Sequence, residues 1–124
     1  MWAVAAALAA LVALQVALTA PSVADEGQAQ KAMVRGMDAL ARGDATAALA
    51  EFQQAQTLAP GAPVPHRYAG KALEALGRWA EAITSYQTYL RIRPTSKDAT
   101  EIRTRIDDIR NKHLEGIVDE PSPR

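Results

Sequence analysis

Shifted by 34 residues, the chain falls into register with itself. Gly36 meets Gly70, Gly43 meets Gly77, Ala48 meets Ala82, Phe52 meets Tyr86 and Pro60 meets Pro94. The stretches GDATAALAEFQQAQTLAP (43–60) and GRWAEAITSYQTYLRIRP (77–94) carry the echo most plainly. Leu40 falls on Glu74, so the second half is not a copy of the first. A fixed period of this length is the signature of a stacked repeat, in which one unit buries its apolar face only against its neighbour.

The spacing inside each unit reads as a helical hairpin. Gly36 lies mid-helix, where glycine costs about 1 kcal/mol relative to alanine. Its reason there is packing, the close approach of a second helix. Gly43 falls where the first helix stops, as a glycine just past the C-cap, and Asp44 can N-cap the next. Ala48, Phe52 and Ala55 then share one helical face. Pro60 follows that helix, and Pro63 and Pro65 suit the opening of the next.

These residues resemble the tetratricopeptide repeat family, whose unit is a helix-turn-helix of this length. A first unit at 29–62 puts Gly36, Gly43, Ala48, Phe52, Ala55 and Pro60 on the family's small, aromatic and proline places. A second at 63–96 puts Gly70, Gly77, Ala82, Tyr86 and Pro94 there, with Trp79 on a further aromatic place. Tyr89 stands where Ala55 stood, so the second hairpin is expected to pack more loosely there or to leave room for the ring. The first helix of each unit matches less well, with Ala32 and His66 where the family has tryptophan. The resemblance covers 29–96 and implies an all-α, antiparallel helical-hairpin stack. Five helices are expected, at about 27–42, 45–58, 63–76, 79–92 and 96–114, preceded by an N-terminal hydrophobic helix.

The last of these caps the stack. Thr95 or Ser96 can N-cap it, and Ala99, Ile102, Ile106, Ile109 and His113 form an apolar stripe on an otherwise charged helix. Thr104 stands where a third unit would need glycine, so 96–114 reads as a terminal helix with one covered face. Residues 116–124, with two prolines and no period, read as a disordered tail. Two repeats are fewer than the three that stacks usually need; the cap, a partner or a second copy supplies the rest.

The first twenty-four residues differ from all that follows. From Trp2 to Leu18, about 17 residues and the short edge of a membrane span, only Gln15 is strongly polar. Ser22-Val23-Ala24 then precedes the polar Asp25 and Glu26. This reads as a secretory signal peptide cut after Ala24, although no Lys or Arg precedes the apolar run. An uncleaved membrane anchor and a buried apolar helix are the alternatives. The first two readings export the repeats, to the periplasm or beyond, or hold them at a membrane through residues 2–18. The folded domain is expected at 25–115.

Chemistry is sparse. Lys plus Arg and Asp plus Glu number 14 each, giving no net charge and no general affinity for nucleic acid. The absence of cysteine removes disulfides and thiolate sites. His66 and His113 lack metal-ligand spacing, and the Asp107-Asp108 carboxylates diverge on a helix. No cofactor, metal or catalytic residue is expected. The resemblance instead implies a non-catalytic protein-protein interaction adaptor with a concave groove on the first helix of each unit. Those places hold Gln30, Met33, Met37 and Leu40 in unit one, Val64, Arg67, Lys71 and Glu74 in unit two, and Glu101, Arg105 and Asp108 on the capping helix. Methionines suit an adaptable apolar contact, and Arg67 with Lys71 could hold an acidic group. A covered apolar face over Met33 and Met37, by the N-terminal segment or a second copy, and a merely solvated basic face are the competing readings. Met37 and Lys71 occupy the place where relatives that clamp a chaperone tail carry asparagine, so that activity is not implied. A membrane-tethered assembly factor and a self-associating structural subunit are the alternative functions.

Overall fold

The computed structural model describes residues 21–115; the expectations for residues 1–20 and for the 116–124 tail lie outside the described residues. Five α-helices follow in order: α1 Val23–Ala41, α2 Ala45–Leu58, α3 Val64–Ala75, α4 Trp79–Ile92 and α5 Ala99–Ile109. A π-helical turn, Arg110–Leu114, prolongs α5. Each helix packs on the next, giving two hairpins, α1–α2 and α3–α4, stacked through α2 and α3 and closed by α5.

Local chemistry sets the turns, and it repeats. Arg42 is the C-cap of α1, and Gly43 follows at φ 80°. The Gly43 N–H donates to Leu40 O at 3.0 Å and the Asp44 N–H to Ala39 O at 2.9 Å, the paired bonds of a Schellman ending. In the second unit Gly77 takes φ 71°, its N–H donates to Glu74 O at 2.9 Å, and the Arg78 N–H donates to Leu73 O at 2.9 Å. Glycine is needed at both places because an L side chain in this left-handed region costs roughly 1–2 kcal/mol. The residue after each glycine opens the next helix. Asp44 does so with its carboxylate, which accepts from the Ala47 N–H at 3.1 Å. Arg78 has no acceptor to offer and pairs with Glu81 instead.

The mid-helix glycines have the steric purpose their position implied. A Cβ on Gly36 would stand 2.5 Å from the Phe52 ring, and one on Gly70 would stand 2.6 Å from the Tyr86 ring. Phe52 and Tyr86 are the two largest fully buried side chains. Each hairpin is thus closed by an aromatic ring laid against bare backbone. Ala48, Ala55 and Ala82 are buried beside the rings and keep the helices close. Phe52 also meets Tyr68 of the next hairpin, ring centroids 5.6 Å apart.

Three expectations change. Helix α1 begins at Val23, not near 27, because Ser22 and Asp25 form a reciprocal capping box: the Asp25 N–H donates to Ser22 Oγ at 3.1 Å and the Ser22 N–H to Asp25 Oδ2 at 3.2 Å. Helix α5 begins at Ala99, and neither Thr95 nor Ser96 caps it. Asp98 stands at its N-cap without a capping bond, since that carboxylate accepts the Tyr89 hydroxyl at 2.7 Å. Tyr89 does not loosen the second hairpin. Its ring is buried, and its hydroxyl ties α4 to the start of α5. Within the stripe of α5, Ala99, Ile102, Ile106 and Ile109 are buried as expected. His113 is exposed and stacks flat on Trp79, centroids 3.6 Å apart.

Candidate partner groove

Helices α1 and α3 leave an open groove of about 660 Å³ between them. Its walls are Gln30, Met33 and Met37 from α1 and Val64, Pro65 and Tyr68 from α3. The loop at Ala59, Gly61 and Ala62 closes one side, and Pro21 and Glu26 stand at the mouth. Period explains the wall: Gln30, Met33 and Met37 succeed one another at steps of three and four, as do Val64 and Tyr68. Met33 is buried, whereas Met37 is 42% and Val64 44% exposed. The groove is thus concave and mostly apolar, the kind of surface in which ligands and partner segments are commonly held.

The other expected groove residues are placed differently. Leu40 packs against the core and does not line the groove. Glu74 has its side chain only 11% exposed, accepts the Arg105 Nε–H at 2.7 Å and accepts the Tyr86 hydroxyl at 2.8 Å. Arg105 and Glu74 therefore fasten α5 to α3. Burial, reinforced by the bond to Glu74, pushes the Tyr86 hydroxyl well above the ordinary tyrosine range, and the same carboxylate raises Arg105. Arg67 Nε stands 3.1 Å from Asp98 Oδ2. That contact is electrostatic rather than a hydrogen bond, because the buried Nε has no acceptor in line with it. The Tyr89 hydroxyl, first, and the Ser96 side chain hold Asp98 below the usual carboxylate range, with Arg67 adding to it.

Lys71 is the cation of the set that meets no ion-pair partner among the described residues. Its Nζ lies 5.2 Å over the Tyr68 ring, which also has the Arg67 guanidinium at 5.9 Å. Glu101 is exposed on α5, and Asp108 is half-buried there. The structure thus gathers Gln30, Met33, Met37 and Val64 into one apolar groove, with Lys71 beyond its Tyr68 edge. Arg67, Glu74 and Arg105 are engaged instead in contacts between helices, Arg105 from the surface. Tyr68 and Asp98 were missed from sequence. Tyr68, one turn after Val64 on the same face, was readable by the same spacing that selected Val64. Asp98 was not, because its partners come from α3 and α4.

No group of three metal-ligating side chains comes together among the described residues. A stack of helical hairpins with a groove along its first helices is the architecture of a repeat-type interaction module. The profile of the tetratricopeptide repeat family matches residues 39–106, over half of the chain, and the protein belongs to that family. The match runs from the last turn of α1 into α5, so the family's pattern extends into the capping helix. No curated protein matches the chain. Tetratricopeptide repeats generally mediate protein-protein interaction and are typically non-enzymatic.

Proposed function

We propose that this protein is an exported, non-catalytic adaptor of the cell envelope that takes a segment of a partner protein into the α1–α3 groove. The observation that carries the reading is the wall itself: Met37 and Val64 stay exposed in a concave lining that is otherwise made of Met33, Pro65, Tyr68 and small residues, with Gln30 and Glu26 as its polar members. A partner covering them would remove apolar surface from water at about 25 cal/mol per Å², and the flexible methionine chain adapts to irregular shapes. The apolar leader at Trp2–Leu18 supports export.

The test is capture from envelope extracts with the wild-type chain, Met37→Glu and Lys71→Glu. A charge at Met37 should cut recovery of the specifically retained protein about tenfold or more, the scale of losing one buried apolar anchor at an interface. Lys71→Glu should have a smaller effect. Equal recovery by all three chains overturns the groove assignment.

A second reading is favoured by one feature. The bond after Ala24 lies inside the first turn of α1, between the two members of the Ser22–Asp25 capping box. Cutting there removes a cap whose loss typically costs about 1 kcal/mol. Retention of the N-terminal segment would make the protein a membrane-tethered assembly factor. N-terminal sequencing separates the two: a chain beginning at Asp25 supports export with cleavage, and an intact Met1 in the membrane fraction supports the tether.

A further inference from the structure

We propose that the α1–α3 groove takes an apolar segment of the partner that carries an acidic side chain where it meets Lys71 and a basic side chain where it meets Glu26. The inference deepens the reading of the groove as a partner site and rests on it. The two charges stand toward opposite ends of the apolar wall. On α1, Glu26, Gln30, Met33 and Met37 follow one another at steps of four, three and four, and so share one face. On α3, Val64, Tyr68 and Lys71 do the same at steps of four and three. In a series of antiparallel neighbours α1 and α3 run the same way. Glu26, in the first turn of α1, therefore lies at the end where α3 begins, and it lines the groove together with Gly61 and Val64. Lys71 is two turns along α3 from Val64, roughly 10 Å further down the groove.

Neither charge is committed elsewhere. Glu26 and Lys71 meet no ion-pair partner among the described residues. Arg67, the other cation on this side of α3, already stands 3.1 Å from Asp98. The Lys71 side chain is half-buried, and its Nζ lies 5.2 Å over the Tyr68 ring. The apolar edge of the groove thus passes directly into an ammonium group with N–H donors left for an oxygen acceptor. Partial removal from water strengthens its attraction for a carboxylate. Between the two charges the lining is uncharged, with Met33, Met37, Val64 and Tyr68 as its larger apolar members. The ligand that complements this wall is apolar in the middle and oppositely charged at its two ends. Apolar burial supplies most of the affinity, and the charges set direction, because a segment laid the other way would bring like charges together. A second copy of the chain could match the charges about a two-fold axis. It would, however, set one concave wall against another and leave the groove unfilled.

The experiment selects short random peptides, displayed on phage, against the immobilised full chain. Display fuses each peptide through its C-terminus, so any acid selected is a side chain and not a free terminal carboxylate. The retained peptides should share apolar residues flanked by Asp or Glu at one end and Lys or Arg at the other. A retained peptide is then synthesised with a fluorescent label, and its affinity is measured by anisotropy. Lys71→Glu should weaken it about fivefold, the scale of a partly exposed ion pair. Replacing the peptide's acid with lysine should restore binding to the Lys71→Glu chain, and this rescue also shows that the variant is folded. Glu26→Lys should behave in the same way toward the peptide's basic end. Absence of a shared pattern, a pattern without the two charges, or failure of the swapped pairs to recover overturns the proposal. A dimer in light scattering that Met37→Glu converts to a monomer assigns the groove to a second copy and also overturns it. Loss of partner capture with Met37→Glu, combined with a charge-free pattern here, leaves the groove a partner site of different chemistry. Unchanged capture together with no retained peptide removes both readings.

Discussion

Gly36 and Gly70 do the same steric task under different constraints. The ring facing Gly36 belongs to Phe52, which has no polar atom to hold it, whereas the ring facing Gly70 belongs to Tyr86, whose hydroxyl is fixed to Glu74. An alanine methyl forces either ring to move. Overpacking of this kind costs about 1–3 kcal/mol, offset by up to about 1 kcal/mol of helix propensity. Gly70→Ala should therefore destabilise by roughly 1–2 kcal/mol, and Gly36→Ala by less. Urea denaturation followed by circular dichroism measures both. Adding Tyr86→Phe to Gly70→Ala should recover part of the loss, because the freed ring can shift; strict additivity of the two changes would refute the fixed-ring explanation.

At the scale of elements, α5 is attached by an apolar stripe and by a few polar fasteners. Ile102, Ile106 and Ile109 supply the area, and Glu74 and Asp98 supply the direction. The two members of the Glu74–Arg105 pair are not equivalent. Glu74 is nearly covered and serves two donors, whereas the Arg105 side chain is 54% exposed. Glu74→Gln should cost about 1–3 kcal/mol, since one charged acceptor is lost under a buried hydroxyl and a guanidinium. Arg105→Ala should cost less than about 1 kcal/mol, as half-exposed ion pairs do. Equal costs would mean that the pair acts as an ordinary surface bridge. The hairpins themselves, by contrast, are set by local signals: the Schellman bonds at Gly43 and Gly77 fix each turn before any packing is considered.

At the scale of the molecule, two titrating groups, one within the second hairpin and one where it meets the capping helix, give stability a pH dependence with a definite sign. His66 on α3 is held below its ordinary value of 6.5 by burial and then by the charge of Arg91 on α4. The unfolded chain thus binds a proton at higher pH than the folded one, so this contribution is present above pH 6.5 and is lost as pH falls through the folded value. Asp98 is also held below its ordinary value, 3.8, and its contribution is lost at still lower pH. The urea midpoint should decline in two stages on acidification. His66→Gln should flatten the first stage alone; an unchanged first stage would assign it to other groups.

Legibility in the sequence followed the range of the interactions. The family, the hairpin boundaries at Gly43 and Gly77, the paired aromatics and Met33, Met37 and Val64 of the groove could be read because each depends on neighbours within one or two turns, or on the period. The same local reasoning placed Arg67, Glu74 and Arg105 on the groove-facing places but could not say that they are spent on internal pairs. It misjudged Tyr89 because the atom that receives its hydroxyl, on Asp98, belongs to the connection into another helix.

The chain's own residues, then, determined that it would be a stack of helical hairpins: glycine opposite ring, alanine beside ring, and glycine again at each turn are short-range requirements written in order. Only the tertiary structure decided which polar side chains remain available. A carboxylate or guanidinium takes whatever partner the stacked helices bring within about 3 Å, and that proximity arises between residues far apart in sequence. Glu74 is closed by Arg105 from another helix, Arg67 lies against Asp98, and the apolar wall from Met33 to Tyr68 stays open to be covered.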